Sequence, residues 1–154
     1  MLALFHAATL SGNQLRLAFP IIQATWPDTS LAGWLGFAEF FSGVEAAGRS
    51  GVIAVFGRKD DISGILAYRL EQDLRAGPIL SVRLFTAMDV ANSLRPVRAL
   101  LDAADAQARE LDCNLVQIHL GSNQARLASR LRRLGLNHHA SLHWKETETM
   151  TARS

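Results

Sequence analysis

The sequence predicts an α/β (α+β) fold, a mixed, mostly antiparallel sheet flanked by helices, with the element order β-α-α-β-β-β-α-β-α-β. Short apolar runs bounded by turn residues cluster between residues 52 and 85, whereas apolar residues recur at helical spacing before and after that stretch. A strand, a helix and another strand follow one another over 79–120. Such a crossover requires part of the sheet to be parallel.

The length and composition indicate one domain over residues 1–146, followed by a flexible tail at 147–154. An apolar content of 49% and a charged content of 19% argue against a disordered chain. Cys113 is the only cysteine, which excludes an intrachain disulfide and favours a cytoplasmic location. We expect neither a signal peptide nor a membrane helix, because the apolar start lacks a basic leader and is too short.

The N-terminal third predicts a strand and two helices. The strand is expected at 2–8, and the apolar positions that follow have helical spacing, with Pro20 marking either a kink or a restart. Ser30 is the predicted N-cap of the second helix. The predicted core face of that helix consists of Leu31, Trp34, Leu35, Ala38 and Phe41.

The middle third predicts three consecutive antiparallel strands at 52–56, 62–70 and 79–85. Gly64 inside the second strand indicates a bulge or a close contact. In the third strand, alternation predicts that Leu80, Val82 and Leu84 share one face of the sheet.

The last third predicts a helix, a strand at 114–120, a second helix that ends at Gly135, and a final strand at 138–144. Asn92 or Ser93 is expected to cap the first of these helices, and Pro96 fits its first turn. Ser122 or Asn123 is expected to cap the second.

The whole element order, and the segment Asn92-Ser93-Leu94-Arg95-Pro96-Val97 after the three strands, resemble the GNAT (general N-acetyltransferase) superfamily. In that family this loop has the pattern Gln/Arg-x-x-Gly-x-Gly/Ala and opens a helix whose backbone N–H groups bind the pyrophosphate of acetyl-CoA. Here both glycine positions are replaced, by Arg95 and Val97. The resemblance implies that pantetheine lies beside Ala87 and Met88, and that the pyrophosphate lies near 92–98, a stretch that includes Leu94 and Arg98.

A second resemblance lies near the C-terminus. Many GNAT chains have an Asn after the fifth strand, then an Ala in the next helix, then Tyr-x-x-x-Gly-Phe. This chain has Asn123 at the first position, which implies a contact with the cosubstrate, and Leu131 at the position of the tyrosine. In the family that tyrosine often protonates the departing thiolate. The only tyrosine here, Tyr68, lies within the second of the three predicted antiparallel strands.

Three hypotheses follow from these departures. If Arg95 and Arg98 replace the backbone donors, the chain transfers an acetyl group from acetyl-CoA to a small-molecule or peptide amine. Alternatively, the chain is a catalytically inactive GNAT-like protein that acts as a binding or regulatory module. In the third hypothesis the element order is coincidental and the chain is another α+β domain.

Direct acyl transfer requires a base that deprotonates the ammonium group of the acceptor. His119, near the end of the fifth strand, and Asp89, past the fourth strand, are the candidates. His119 has an ordinary pKa close to neutrality. Each residue also has a structural interpretation, as a half-buried strand histidine and as a turn-stabilising carboxylate.

Other partners receive less support from the sequence. His138, His139 and His143 cluster in the predicted last strand but show no zinc-type spacing and offer too few convergent ligands, so we predict no metal site. The arginines of the last helix lack interleaved aromatic residues, so no nucleic-acid partner is expected, and no membrane partner is expected either. A second copy of the chain could complete the C-terminal end of the sheet, which allows a homodimer.

Overall fold

The computed structural model describes residues 5–43, 48–89, 93–138 and 145–147. The predicted last strand beyond His138, the loop residue Asn92, and the predicted tail beyond residue 147 lie outside the described residues. The domain bounds 1–146 therefore stay a prediction.

The described elements follow the predicted order. They are β1 (His6–Leu10), a 3₁₀ helix (Gly12–Ala18), α1 (Phe19–Thr25), α2 (Leu31–Ser42), β2 (Ser50–Phe56), β3 (Ile62–Asp73), β4 (Gly77–Ala87), α3 (Arg95–Glu110), β5 (Leu115–Ile118), a second 3₁₀ helix (Ser122–Gln124) and α4 (Ala125–Arg133). The strands form one sheet in the order β1-β2-β3-β4-β5. The first three pairings are antiparallel and β4 pairs with β5 in parallel, so the predicted crossover is confirmed.

Pro20 marks a restart rather than a kink, because the 3₁₀ helix ends at Ala18 and α1 begins with Pro20 in its first turn. β1 extends to Leu10, beyond the predicted end at residue 8. The predicted cap of α2 is confirmed, since the Gly33 N–H donates to Ser30 Oγ over 3.0 Å. Trp34 then holds α2 against the 3₁₀ helix, because its buried indole N–H donates to the Leu15 carbonyl over 2.8 Å.

The sheet separates two apolar layers. The first packs α1 and α2 against one face, and its largest fully buried residues include Leu10, Leu15, Ile22, Trp34 and Ile65. The second packs α3 and α4 against the other face, around Leu66, Leu80, Val82, Phe85 and Leu100. Their contents follow from the period-two alternation of the strands, which sends successive side chains to opposite faces.

Two bulges interrupt that alternation. Val55 pairs with Gly64 and Phe56 with Ile62, which leaves Ser63 without a cross-strand partner. Ala67 pairs with Leu84 and Tyr68 with Val82, which leaves Arg83 unpaired in the same way. Each bulge reverses the alternation beyond it.

The second bulge corrects the predicted face of β4. Leu80 and Val82 face α3, but Leu84 packs in the layer of α1 and α2 and Phe85 takes the α3 side. The prediction for Gly64 is confirmed, since it follows the first bulge and a Cβ there would lie 3.3 Å from Leu100 Cδ2.

The starts of α3 and α4 also differ from prediction. Leu94 holds the N-cap position of α3, and Ser93 Oγ instead accepts a hydrogen bond from the Arg95 N–H over 3.2 Å. The predicted cap residues of α4 belong to the second 3₁₀ helix, so α4 begins only at Ala125. Gly135 stops α4 as predicted, with a φ of 98° that favours glycine. No helix in the described ranges is long and apolar enough to cross a membrane.

Candidate functional site

Strands β4 and β5 separate midway along β4. They pair from Ile79 with Leu115 to Val82 with Ile118, and the last backbone bond runs from the His119 N–H to the Val82 carbonyl over 2.9 Å. Farther along β4, the Phe85 carbonyl accepts instead from the buried side chain of Gln124, over 2.8 Å. The parallel strands therefore leave an opening at their carboxyl ends, where sheets of this kind commonly bind ligands.

The C-terminal end of α1 borders this opening. Thr25 Oγ1 lies 2.7 Å from Thr86 Oγ1 on β4, and Asn123 Nδ2 donates to the Thr25 carbonyl over 2.9 Å. A Cβ at Gly121 would lie 2.9 Å from Asn123 Oδ1 and 4.0 Å from Trp26 Nε1, so the loop after β5 approaches α1 closely. Asn123, predicted from the resemblance to contact the cosubstrate, thus caps the end of α1.

A group of polar side chains occupies the sheet beside the opening, on the face that carries α1 and α2. We call it the sheet-face cluster: Arg69, Glu71, Ser81, Arg83 and His119. Glu71 Oε2 contacts Arg69 Nε at 2.5 Å and Arg83 Nη1 at 3.3 Å. Ser81 Oγ lies 3.3 Å from His119 Nε2. The cluster therefore joins β3, β4 and β5 at the point where the last two strands separate.

The charges of the cluster follow from burial and from its arginines. Burial lowers the pKa of His119, and the positive charge of Arg83 lowers it further. Burial acts to raise the pKa of Glu71, but hydrogen bonds and charge from Arg69, with help from Ser81 and Arg83, leave it lowered. At neutral pH the cluster therefore holds a neutral imidazole beside an ionised carboxylate and two guanidinium groups.

Asp89, the other candidate base, is engaged in two ion pairs. Its carboxylate lies 2.9 Å from Arg126 Nη1 and 2.5 Å from Arg130 Nη2. The Arg130 side chain is 8% exposed, so Asp89 neutralises a buried charge and ties the end of β4 to α4. Both carboxylate oxygens are engaged by guanidinium groups, and this geometry favours the structural interpretation of Asp89.

The N-terminus of α3 offers few backbone donors. The first four N–H groups of a helix, counted from the N-cap residue, have no intrahelical partner. Here the Arg95 N–H donates to Ser93 Oγ and Pro96 has no N–H, so among the described residues of this turn Leu94 and Val97 retain their donors. The Val97 side chain is buried in the core, while Arg95 and Arg98 are exposed beside it.

Three other residues predicted to contact the cosubstrate, Leu94, Ala87 and Met88, lie at the end of β4 or at the start of α3. Leu94 precedes α3, Ala87 ends β4, and the Met88 side chain is exposed while its N–H donates to the Ser63 carbonyl over 2.8 Å. Leu131, at the family's tyrosine position, is 5% exposed within the α3 layer. Tyr68 cannot substitute for it, because it lies under the far end of α3, where burial and the charge of Glu110 raise its pKa.

Sequence reasoning missed Arg69, Glu71 and Arg83. The recurrence of polar residues on alternate positions past the apolar part of β3 was the available signal for the first two. No such signal exists for Arg83 or for Gln124. The bulge at Arg83 and the hydrogen bond from Gln124 to the Phe85 carbonyl across the opening both depend on tertiary structure. No group of His, Cys, Asp and Glu within the described ranges could hold a metal ion.

Comparison with solved structures identifies the fold. The chain matches the aminoglycoside N-acetyltransferase AAC(6')-Iy in complex with CoA, with a TM-score of 0.76 and 9% identity over 94% of this chain and 95% of that one. It matches an aminoglycoside acetyltransferase from an uncultured soil metagenomic sample, in complex with sisomicin, with a TM-score of 0.70 and 10% identity over 95% and 97%. It also matches a transcriptional regulator from Bacillus halodurans C-125, with a TM-score of 0.71 and 13% identity over 92% and 99%.

No protein-family model and no curated protein matches the sequence. The solved structures establish that the chain has the GNAT fold, as the resemblance implied. The hypothesis that the element order is coincidental is therefore wrong.

Proposed function

We propose that the chain is an N-acetyltransferase that uses acetyl-CoA and acetylates a small-molecule amine. The observation that carries the proposal is a neutral histidine, His119, placed where β4 and β5 separate. Two further facts support it. The fold is that of acetyltransferases, and AAC(6')-Iy, whose fold it shares, was solved in complex with CoA.

The start of α3 suits the phosphates of acetyl-CoA through arginine side chains more than through backbone N–H groups. With only two free backbone donors, those of Leu94 and Val97, the start of the helix alone supplies little, but two exposed guanidinium groups flank the same end. Guanidinium forks bind phosphate oxygens through paired hydrogen bonds. In this proposal Arg95 and Arg98 bind the pyrophosphate, with help from the N–H of Val97. Asn92 and Leu94 flank them, and Ala87 and Met88 border the pantetheine.

His119 supplies the base. Its Nε2 accepts a proton from the ammonium of the acceptor, and the free amine then attacks the thioester carbonyl carbon. A C–N bond forms as the C–S bond breaks, and the thiolate leaves. The tyrosine position holds buried Leu131, so in this proposal a water molecule relays the remaining proton of the attacking nitrogen to the departing thiolate. A cytoplasmic location and a homodimer remain predictions of the sequence.

The test is isothermal titration of the purified protein with acetyl-CoA. Arg95→Ala/Arg98→Ala is expected to weaken binding at least about tenfold, since a hydrogen bond to a charged group contributes about 1.5–3 kcal/mol. Arg132→Ala/Arg133→Ala is the matched control, because it removes two exposed arginines from α4 and should leave the affinity unchanged. Absence of binding by the wild type at millimolar acetyl-CoA would refute the proposal.

A second candidate function is a catalytically inactive binding or regulatory module. The buried Leu131 at the tyrosine position and the sparse donors of α3 favour it, and one protein of the same fold is described as a transcriptional regulator. Turnover separates the two functions. Acetylation of any amine in a broad panel supports the enzyme, whereas tight acetyl-CoA binding without acetylation supports the module.

A further inference from the structure

We propose that the acceptor is a small amine that also carries a carboxylate or a phosphate, and that Arg69 and Arg83 bind that anionic group. This inference rests on the proposed function and names its substrate class. It is carried by the position, the net charge and the exposure of the sheet-face cluster.

The position follows from the strand registers. Arg69 pairs with Ser81, and Ser81 pairs with Gln117, so these residues share the face of the sheet on which α1 and α2 pack. His119 lies two residues beyond Gln117 and contacts Ser81, which places it on the same face. Arg83 is the bulge residue of β4, directly beyond the last β4–β5 pair, and its contact with Glu71 directs it to this face as well.

A chain of contacts connects the proposed base to the arginines. His119 contacts Ser81, Ser81 contacts Glu71, and Glu71 pairs with both Arg69 and Arg83. One small molecule can therefore place its amine at His119 and its anionic group at the arginines. The Arg69 and Arg83 side chains are 40% and 39% exposed, so a ligand can reach them.

The charge balance favours an anionic group. Glu71 neutralises one of the two guanidinium groups and His119 is neutral, which leaves the cluster with one excess positive charge. Arg69 contacts Glu71 through Nε and Arg83 contacts it through Nη1, so other N–H groups on each guanidinium can donate to a ligand. Two forks at one place suit the oxygens of a carboxylate or a phosphate.

The same balance disfavours a polycation. Aminoglycosides such as sisomicin, which one protein of this fold binds, carry several ammonium groups. Such a molecule would meet two guanidinium groups and one carboxylate that is already paired. Like charges brought together at a binding site oppose association and select against the wrong partner.

The experiment compares matched pairs of acceptors by their kcat/KM for acetyl transfer. Alanine and alaninamide differ in the carboxylate, phosphoethanolamine and ethanolamine differ in the phosphate, and spermidine represents polycations. We expect at least one anionic member to exceed its uncharged partner by about tenfold or more, a factor that corresponds to ~1.4 kcal/mol. The pair with the larger ratio identifies the anionic group.

Arg69→Gln/Arg83→Gln should reduce that ratio toward one, whereas the control Arg75→Gln, on the exposed β3–β4 turn, should preserve it. Because the readout is a ratio within one protein, a general loss of stability does not imitate the result. Thermal melting of each variant confirms that it is folded.

The two proposals fail in different ways. If the protein binds acetyl-CoA but acetylates spermidine and the uncharged amines as well as their anionic partners, the acceptor inference is wrong and the proposed function stands. If acetyl-CoA does not bind, the proposed function fails. Titration of alanine and phosphoethanolamine against the wild type and the double variant then decides whether the arginines bind an anion, and absence of binding overturns the inference.

Discussion

His119 illustrates how position and environment act together on one residue. It follows β5 directly, and its backbone N–H makes the last bond between β4 and β5. Burial and Arg83 both oppose protonation of its ring. In the proposed reaction such a ring is ready to accept a proton at neutral pH, because its neutral form is already dominant.

His119→Asn is expected to lower kcat/KM by about 10²–10⁴-fold, the usual contribution of a general base. In the wild type, the acidic limb of the pH profile of kcat/KM should lie below the ordinary histidine value of 6.5. Arg83→Gln should move that limb upward, since it removes a positive charge that lowers the pKa. His138→Asn, an exposed control, should change neither the rate nor the profile. If the acidic limb of the pH profile persists unchanged in His119→Asn, a residue other than His119 is the general base.

The sequence identified some site residues and missed others for definite physical reasons. His119 could be named because it ends a recognisable apolar strand. Asp89 and Asn123 could be named by position, but their partners Arg130 and Thr25 lie 41 and 98 residues from them along the chain. Arg83 appeared to alternate regularly, and only the pairing of Ala67 with Leu84 and of Tyr68 with Val82 reveals that it is unpaired.

At the scale of elements, two glutamines make the same local contact in different surroundings. The exposed Gln14 accepts from the Ser11 N–H at the start of the first 3₁₀ helix over 3.2 Å, and Gln124 accepts from the Gly121 N–H at the second over 2.9 Å. Gln124 also donates its Nε2 to the Phe85 carbonyl, which joins the second 3₁₀ helix to β4 across the opening.

Gln124→Glu is therefore expected to lower the free energy of unfolding by at least about 1–3 kcal/mol, since a carboxylate cannot donate and the buried Phe85 carbonyl loses its partner. Gln14→Glu is the matched control. Its side chain only accepts, so stability should change by less than about 0.5 kcal/mol. Urea unfolding measures the free energy of unfolding of both variants. If it falls equally in the two, the hydrogen bond from Gln124 to the Phe85 carbonyl does not contribute to stability.

Element types were predictable where a local signal determined them. Ser30 caps α2 and Gly135 stops α4 because side-chain and backbone preferences act within a few residues. The starts of α3 and α4 were not predictable to the residue. Ser93 and Asn123 are both good caps by type, but Ser93 lies one position too early and Asn123 is engaged by α1.

At the scale of the whole molecule, the site contributes to how stability depends on pH. A histidine with a lowered native pKa is protonated more readily when the chain unfolds, so acidification favours unfolding. This effect begins as the pH falls through the unfolded value near 6.5 and is complete below the lower native value. Glu71 acts in the same direction at lower pH, because its lowered pKa stabilises the fold above its ordinary value of 4.5.

We expect the free energy of unfolding to decrease between pH 7.5 and pH 5.5, and the decrease to be smaller in His119→Asn. Denaturant unfolding at the two pH values measures both quantities, and the difference between the proteins isolates the histidine. An identical decrease in the two proteins would show that His119 titrates alike in the folded and unfolded chain.

The global topology was the most predictable level. Apolar periodicity located each described strand and α-helix, and the crossover rule required β5 to lie parallel to its neighbour. Periodicity cannot predict the residue of β4 at which β4 and β5 separate, because this depends on contacts from Gln124 and from the end of α1.

The unpaired Arg83 also limits how this gene can change over generations. A point mutation at codon 83 alters one side chain and leaves every neighbour on its own face of the sheet. Loss of the whole codon would remove the bulge, and because Leu84 would then follow Val82 directly and still pair with Ala67, Phe85 and Thr86 would keep their present faces. Selection at codon 83 in descendants of this chain would therefore act on the guanidinium group that we propose binds the acceptor, and not on the packing of the two layers.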